Sequence, residues 1–172
     1  DGVGMQGVNT GGTVGITTLM TGPARFSRDP ASGAITGLLP YSDGLRVVRF
    51  VCTGPGLDNC TSTATGVQPH LQNLTVFDME ILNDVIYVVH VQNKQVLLDI
   101  FTHSSLTLMR RTAASIVLIR EQDVPSPVTR INSVETDIQM GSRYAEIVVG
   151  ALVDTGTSGS LMATGLRACA ER

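Results

Sequence analysis

The stretch Val85 to Phe101, VIYVVHVQNKQVLLDIF, constrains the fold more than any other part of the chain. Two apolar, β-branched runs flank Asn93-Lys94. A tight two-residue turn there sets Gln92 opposite Gln95, Val91 opposite Val96, Val89 opposite Leu98 and Tyr87 opposite Ile100. Past the loop, every pair on that face is apolar, so the face is expected to pack on a second sheet. The other face sets His90 against Leu97 and Val88 against Asp99. Such a mixed face is expected to be half-buried, and in an assembly it is a candidate subunit contact.

Similar short runs recur along the chain with turn chemistry between them. Leu45 to Val51 reads as a strand after the Ser42-Asp43-Gly44 turn. Leu74 to Ile81 alternates, with Val76, Asp78 and Glu80 on one side and Phe77, Met79 and Ile81 on the other. Asp78 and Glu80 are read as a solvated edge. Leu106 to Arg120 gives either two strands or one bent strand, with Ser115 to Arg120 the stronger half. Val128 to Met140 alternates in part, and Arg143 to Val153 is a long strand candidate. Thr53 to Gly66 and Thr157 to Gly165 read as loops, and Leu166 to Arg172 as one frayed helical turn. With no compelling helix, the expected fold is all-β: an antiparallel β-sandwich or jelly-roll-like barrel. Aromatic residues make up only 4% and Trp is absent, so the core is aliphatic and an immunoglobulin domain built on a central Trp is disfavoured.

Asp1 to Gly22 is dense in glycine and carries no sustained period, which cannot bury enough surface to fold alone. It is read as a flexible Gly-rich N-terminal arm, residues 1–22, preceding a single β-rich domain at residues 23–172. The arm has neither the spacing nor the Lys-Ser/Thr of a phosphate loop.

Charge excludes some function classes. Charged residues are 16% of the chain, hydrophobic ones 42%, and the net charge is −3. Lys94 is the sole lysine and the arginines are scattered, so there is no basic footprint for nucleic acid. No apolar run approaches the ~20 residues of a membrane-spanning helix. His70, His90 and His103 are far apart and have no ligand-spaced Cys or carboxylates beside them, so neither a metal nor a cofactor is expected. A Ser–His–Asp triad could be assembled from distant residues, yet no Gly-x-Ser-x-Gly elbow marks a nucleophile. Cys52 and Cys60 bracket CTGPGLDNC, a loop that a disulfide could close or that could end in two free thiols. Cys169 is left over. Asn59 and Asn73 head Asn-x-Thr triplets, candidate glycosylation sites on a eukaryotic secretory route.

One short run carries a chemical signature. Ala151 to Leu161, ALVDTGTSGSL, resembles the catalytic loop of the aspartic peptidases. The resemblance implies that Asp154 would supply one carboxylate of a proton-sharing dyad, with Thr155 and Gly156 orienting it. Such a dyad works because two carboxylates about 3 Å apart cannot both ionise. The match spans about eight residues, and no second Asp-Thr/Ser-Gly occurs, so a dyad would need two copies of the chain. The same residues also make a good turn after a strand, Asp accepting local N–H groups and Gly supplying positive φ.

Low charge, strand patterning and a Gly-rich arm together favour a non-enzymatic structural subunit of a virion, phage particle or extracellular filament. Its expected partners are copies of itself or neighbouring structural subunits, and its expected location is extracellular or in a virion. An extracellular binding or adhesion β-domain is the alternative, and an aspartic peptidase fragment centred on Asp154 is the third reading.

Overall fold

The computed structural model describes residues 20–29, 33–52, 60–64, 71–83, 85–104, 107–110, 114–123, 130–140 and 144–169. Among these residues are twelve strands: β1 (Arg25–Arg28), β2 (Ile35–Tyr41), β3 (Gly44–Cys52), β4 (Cys60–Ala64), β5 (Phe77–Leu82), β6 (Val85–Gln92), β7 (Gln95–Ser104), β8 (Thr107–Arg110), β9 (Ile116–Ile119), β10 (Arg130–Met140), β11 (Tyr144–Asp154) and β12 (Gly159–Cys169). A single 3₁₀ turn, Glu121–Asp123, interrupts them, and there is no α-helix among the described residues. The fold is therefore all-β and sandwich-like, and every strand pair is antiparallel.

Three sheets divide the chain in sequence order. They run β1-β2-β3-β4, then β5-β6-β7 with β8 and β9 both on β7, then β10-β11-β12. The middle sheet is covered on both faces. One face sets Tyr87, Val89, Val96 and Leu98 against Ile131, Val134, Ile147, Val149 and Val153 of the C-terminal sheet. The other sets Phe77, Met79, Ile81, Ile86, Val88 and Phe101 against Leu38, Leu45 and Val47, with Leu71 and Leu74 from the connection into β5. Full burial of each large aliphatic or aromatic side chain contributes about 1.5–3 kcal/mol, so these two cores hold the layers together.

The central hairpin has the register its sequence dictates: Gln92 opposite Gln95, Val91 opposite Val96, Val89 opposite Leu98 and Tyr87 opposite Ile100. Asn93 and Lys94 have φ of 50° and 57°, the two left-handed residues of a type I′ turn. Its mixed face departs from expectation. His90 and Asp99 are 2% and 0% exposed, because the N-terminal sheet covers that side of the strands. The face is interior and is not available as a subunit contact.

Other local readings change as well. Asp78 is buried and Glu80 half-buried, so they are not a solvated edge. Cys60–Ala64 pairs with β3 inside the stretch expected to be loop. Residues 157–165 and 166–172, read as loop and helical turn, instead contribute one long strand, Gly159–Cys169. The stretch 106–120 resolves into two short strands, β8 and β9. Of the Gly-rich arm, residues 1–19 lie outside the described residues. Met20 bridges to Tyr41, and Thr21 donates its N–H to the Pro40 carbonyl and its hydroxyl to the Leu74 carbonyl.

Candidate functional site

Asp154 ends β11 and Gly159 opposite it begins β12, so Thr155 to Ser158 is a four-residue hairpin loop. Asp154 Oδ1 accepts the Gly156 N–H at 2.7 Å, and Gly156 has a φ of 83°, a backbone state that favours glycine. Buried Thr155 locks the loop. Its N–H donates to the Ser158 carbonyl at 2.9 Å, and its Oγ1 lies 2.9 Å from that carbonyl and 3.0 Å from Ser158 Oγ. The Asp-Thr-Gly-Thr-Ser run thus closes a turn with its own hydrogen bonds. Gly156, Thr157 and Ser158 are exposed, at the tip of the hairpin.

A second constellation arises in the interior, where sequence distance concealed it. His90 on β6 and Asp99 on β7 lie 2.8 Å apart, Nε2 to Oδ2, and Ser115, just before β9, donates its hydroxyl to the same oxygen at 2.9 Å. Ser, His and Asp therefore do meet, but in the wrong order for nucleophilic catalysis. A hydrolase places His between the other two, so that imidazole can take the hydroxyl proton. Here the carboxylate is central and the hydroxyl is spent on it. With the proton on Nε2, Nδ1 is left as a buried acceptor that has no partner among the described residues. His90 and Asp99 are also buried, which bars a substrate from that pair. The cluster's physical role is to tie β6, β7 and the approach to β9 through charge-assisted hydrogen bonds.

Carboxylates also collect where β5 meets its neighbours. Asp78 Oδ2 accepts the Thr136 N–H of β10 at 2.8 Å, and Glu80 Oε2 accepts the Ser27 hydroxyl of β1 at 2.8 Å. Arg25 donates Nε to the Phe77 carbonyl at 3.1 Å and lies 4.0 Å from Asp78 Oδ1. Burial raises the Glu80 pKa above the usual carboxylate range; the Ser27 hydrogen bond opposes the shift, and Asp78 and Asp137 reinforce it. This seam stitches three sheets. Among the described residues, no group of three or more His, Cys, Asp or Glu is arranged to hold a metal ion.

The remaining candidates fall apart from one another. Cys52 and Cys60 are opposite one another in the β3–β4 ladder, whereas Cys169 is opposite Tyr144 in the C-terminal sheet. Asn73 is exposed in a turn with φ 55°, its N–H toward the Tyr41 carbonyl at 3.4 Å. Asn59 and His70 lie outside the described residues. His103 stands opposite Leu108 in β7–β8, away from His90 in the ladder.

Sequence reasoning missed one surface altogether. On the outer side of the C-terminal sheet, Val148, Leu152 and Leu161 are 53%, 42% and 78% exposed. Leu152 is opposite Leu161, Gly150 opposite Ala163, and Val148 opposite Gly165. Small residues between the large ones keep the face low, and a Cβ at Gly150 would meet open space. The signal was the alternation of Ser160, Met162, Thr164 and Leu166 with Leu161, Ala163, Gly165 and Arg167. Its Gly, Ser and Thr content disguised it as loop. This chain matches no protein family, and no characterised protein or solved structure shows significant similarity to it.

Proposed function

We propose that this protein is a non-enzymatic assembly subunit that packs against copies of itself, as the building block of a virion, phage particle or extracellular filament. The observation that carries the reading is the outer face of β11 and β12, where Leu152 and Leu161 are adjacent and exposed. Apolar side chains clustered on one sheet face are what a protein–protein contact buries. The Glu146–Arg167 ion pair, 2.9 Å across the same two strands, bounds the patch with charge at one end. A polar rim of that kind favours register over indiscriminate sticking.

β12 adds a second feature of the same kind. Among the described residues it pairs with β11 alone, and it is an eleven-residue strand without Pro or Lys. Long edges lacking such guards are templates for pairing with another chain. The polar clusters support the same reading, because the carboxylates of Asp78, Glu80 and Asp99 already accept internal hydrogen bonds.

Light scattering coupled to size exclusion, run over a range of concentrations, tests this directly. The expected result is a mass that grows with concentration for the native chain and falls to that of a monomer for Leu161→Lys. Circular dichroism of that variant should be unchanged, since Leu161 is solvent-facing. A native chain that remains monomeric at every concentration would overturn the proposal.

A further inference from the structure

We infer that Cys52 and Cys60 are a disulfide-forming pair that clasps the open end of the β3–β4 ladder. The two residues are Cα partners, the last pair of that ladder. Directly opposed residues in antiparallel strands have Cα atoms about 4.5 or 5.5 Å apart, depending on the hydrogen-bonding site. Both values fall within the roughly 4.4–6.8 Å that a disulfide spans. Register therefore supplies the geometry that sequence spacing alone left open between a bridge and two thiols.

The site is also where a covalent tie has most to hold. β2 accompanies β3 only as far as the Ile35–Phe50 pair, so among the described residues Val51 and Cys52 pair with β4 alone. β4 is a five-residue strand whose sole sheet neighbour among the described residues is β3. A short strand end held from one side opens readily. A bridge would pin it and fix both ends of the intervening connection. Three cysteines allow three pairings, and topology selects one: Cys169 is in β12, in the sheet on the opposite side of the central layer.

The chemistry balances by exchange with a small-molecule disulfide such as oxidised glutathione. One cysteine thiolate attacks it, forming a mixed disulfide and releasing one glutathione thiolate. The second cysteine thiolate attacks the protein sulfur of that bond, forming Cys52–Cys60 and releasing the second glutathione. Two protein thiols are oxidised and one glutathione disulfide is reduced to two thiols. The two thiol protons pass to solvent or to the departing thiolates.

The test uses the full chain, reduced, then equilibrated with oxidised glutathione, acid-quenched, alkylated and mapped by mass spectrometry. Expected are a peptide joining Cys52 to Cys60, lighter by two hydrogens than its two reduced halves together, and Cys169 in no bridge, recovered alkylated or as a glutathione adduct. In Cys60→Ser, Cys52 should instead retain a glutathione adduct, because no resolving thiol is left. The oxidised native chain should melt roughly 5 °C above the reduced one. Stable glutathione adducts on both Cys52 and Cys60 of the native chain, or a bridge that includes Cys169, would overturn the inference.

Discussion

Two long hairpins make up much of this molecule, and they are treated in opposite ways. The β6–β7 hairpin is covered on both faces, and even its polar pair, His90 and Asp99, is sealed inside. The β11–β12 hairpin buries Ile147, Val149, Ala151 and Val153 on one side and leaves Val148, Leu152 and Leu161 in solvent on the other. Their turns differ too. The first strains two non-glycine residues, Asn93 and Lys94, into left-handed backbone, whereas the second relieves its one such position with Gly156. Hydrophobic content alone does not distinguish them; the number of sheets available to cover each does. The central hairpin is thereby a scaffold, and the C-terminal one keeps an exposed apolar face, which we propose a partner covers.

The contrast can be pressed experimentally, beginning with the interior. Asp99→Ala deletes the acceptor shared by buried His90 and half-buried Ser115, so it should cost about 3 kcal/mol by urea denaturation. A loss below about 1 kcal/mol would show that the cluster is solvated after all and the two hairpins are less different than claimed. At the turns, Gly156→Ala puts a Cβ on a residue with φ 83° and should cost about 1 kcal/mol. Lys94→Gly should move the other way, stabilising by about 0.5 kcal/mol, because Asn-Gly is the favoured pair for a type I′ turn. Two substitutions of opposite sign at equivalent places test whether the turns carry the strain assigned to them.

The smallest effect concerns pH. Because burial raises the folded pKa of Glu80, the folded chain holds that proton more tightly than the unfolded chain. Stability should therefore fall as pH rises from the ordinary Glu value through the raised folded value, and level off above it. Glu80→Gln removes this component. Its urea midpoint relative to the native chain should rise as the pH climbs from the ordinary Glu value, about 4.3, through the raised folded value. A relative midpoint that is flat across that range would place Glu80 in open solvent.

How much of this was legible in advance varies with the physics involved. The Asn93-Lys94 turn and its register could be read because period-2 alternation and turn geometry are both local. The burial of His90 and Asp99 could not, since it depends on a sheet drawn from residues about fifty positions earlier. Asp78 and Glu80 looked solvated for the same reason: their partners, Thr136 and Ser27, arrive from distant strands. β12 failed for a different cause. Gly159 and Gly165 have low strand propensity, and pairing along all of β11 outweighs it. Of the candidate site residues, Asp154, Thr155 and Gly156 form the turn that local chemistry allowed, and the apolar outer face went unseen because β12 itself did.

The sequential order of the three sheets has a further consequence for how the chain is made. During synthesis β5 to β9 emerge before β10 to β12 exist. Until the C-terminal sheet arrives, Tyr87, Val89, Val96 and Leu98 have nothing to lie against. The nascent chain therefore passes through a stage with a bare apolar sheet, the kind of surface that chaperones bind and that neighbouring chains can capture. A slow codon run just before Arg130 would lengthen that exposure.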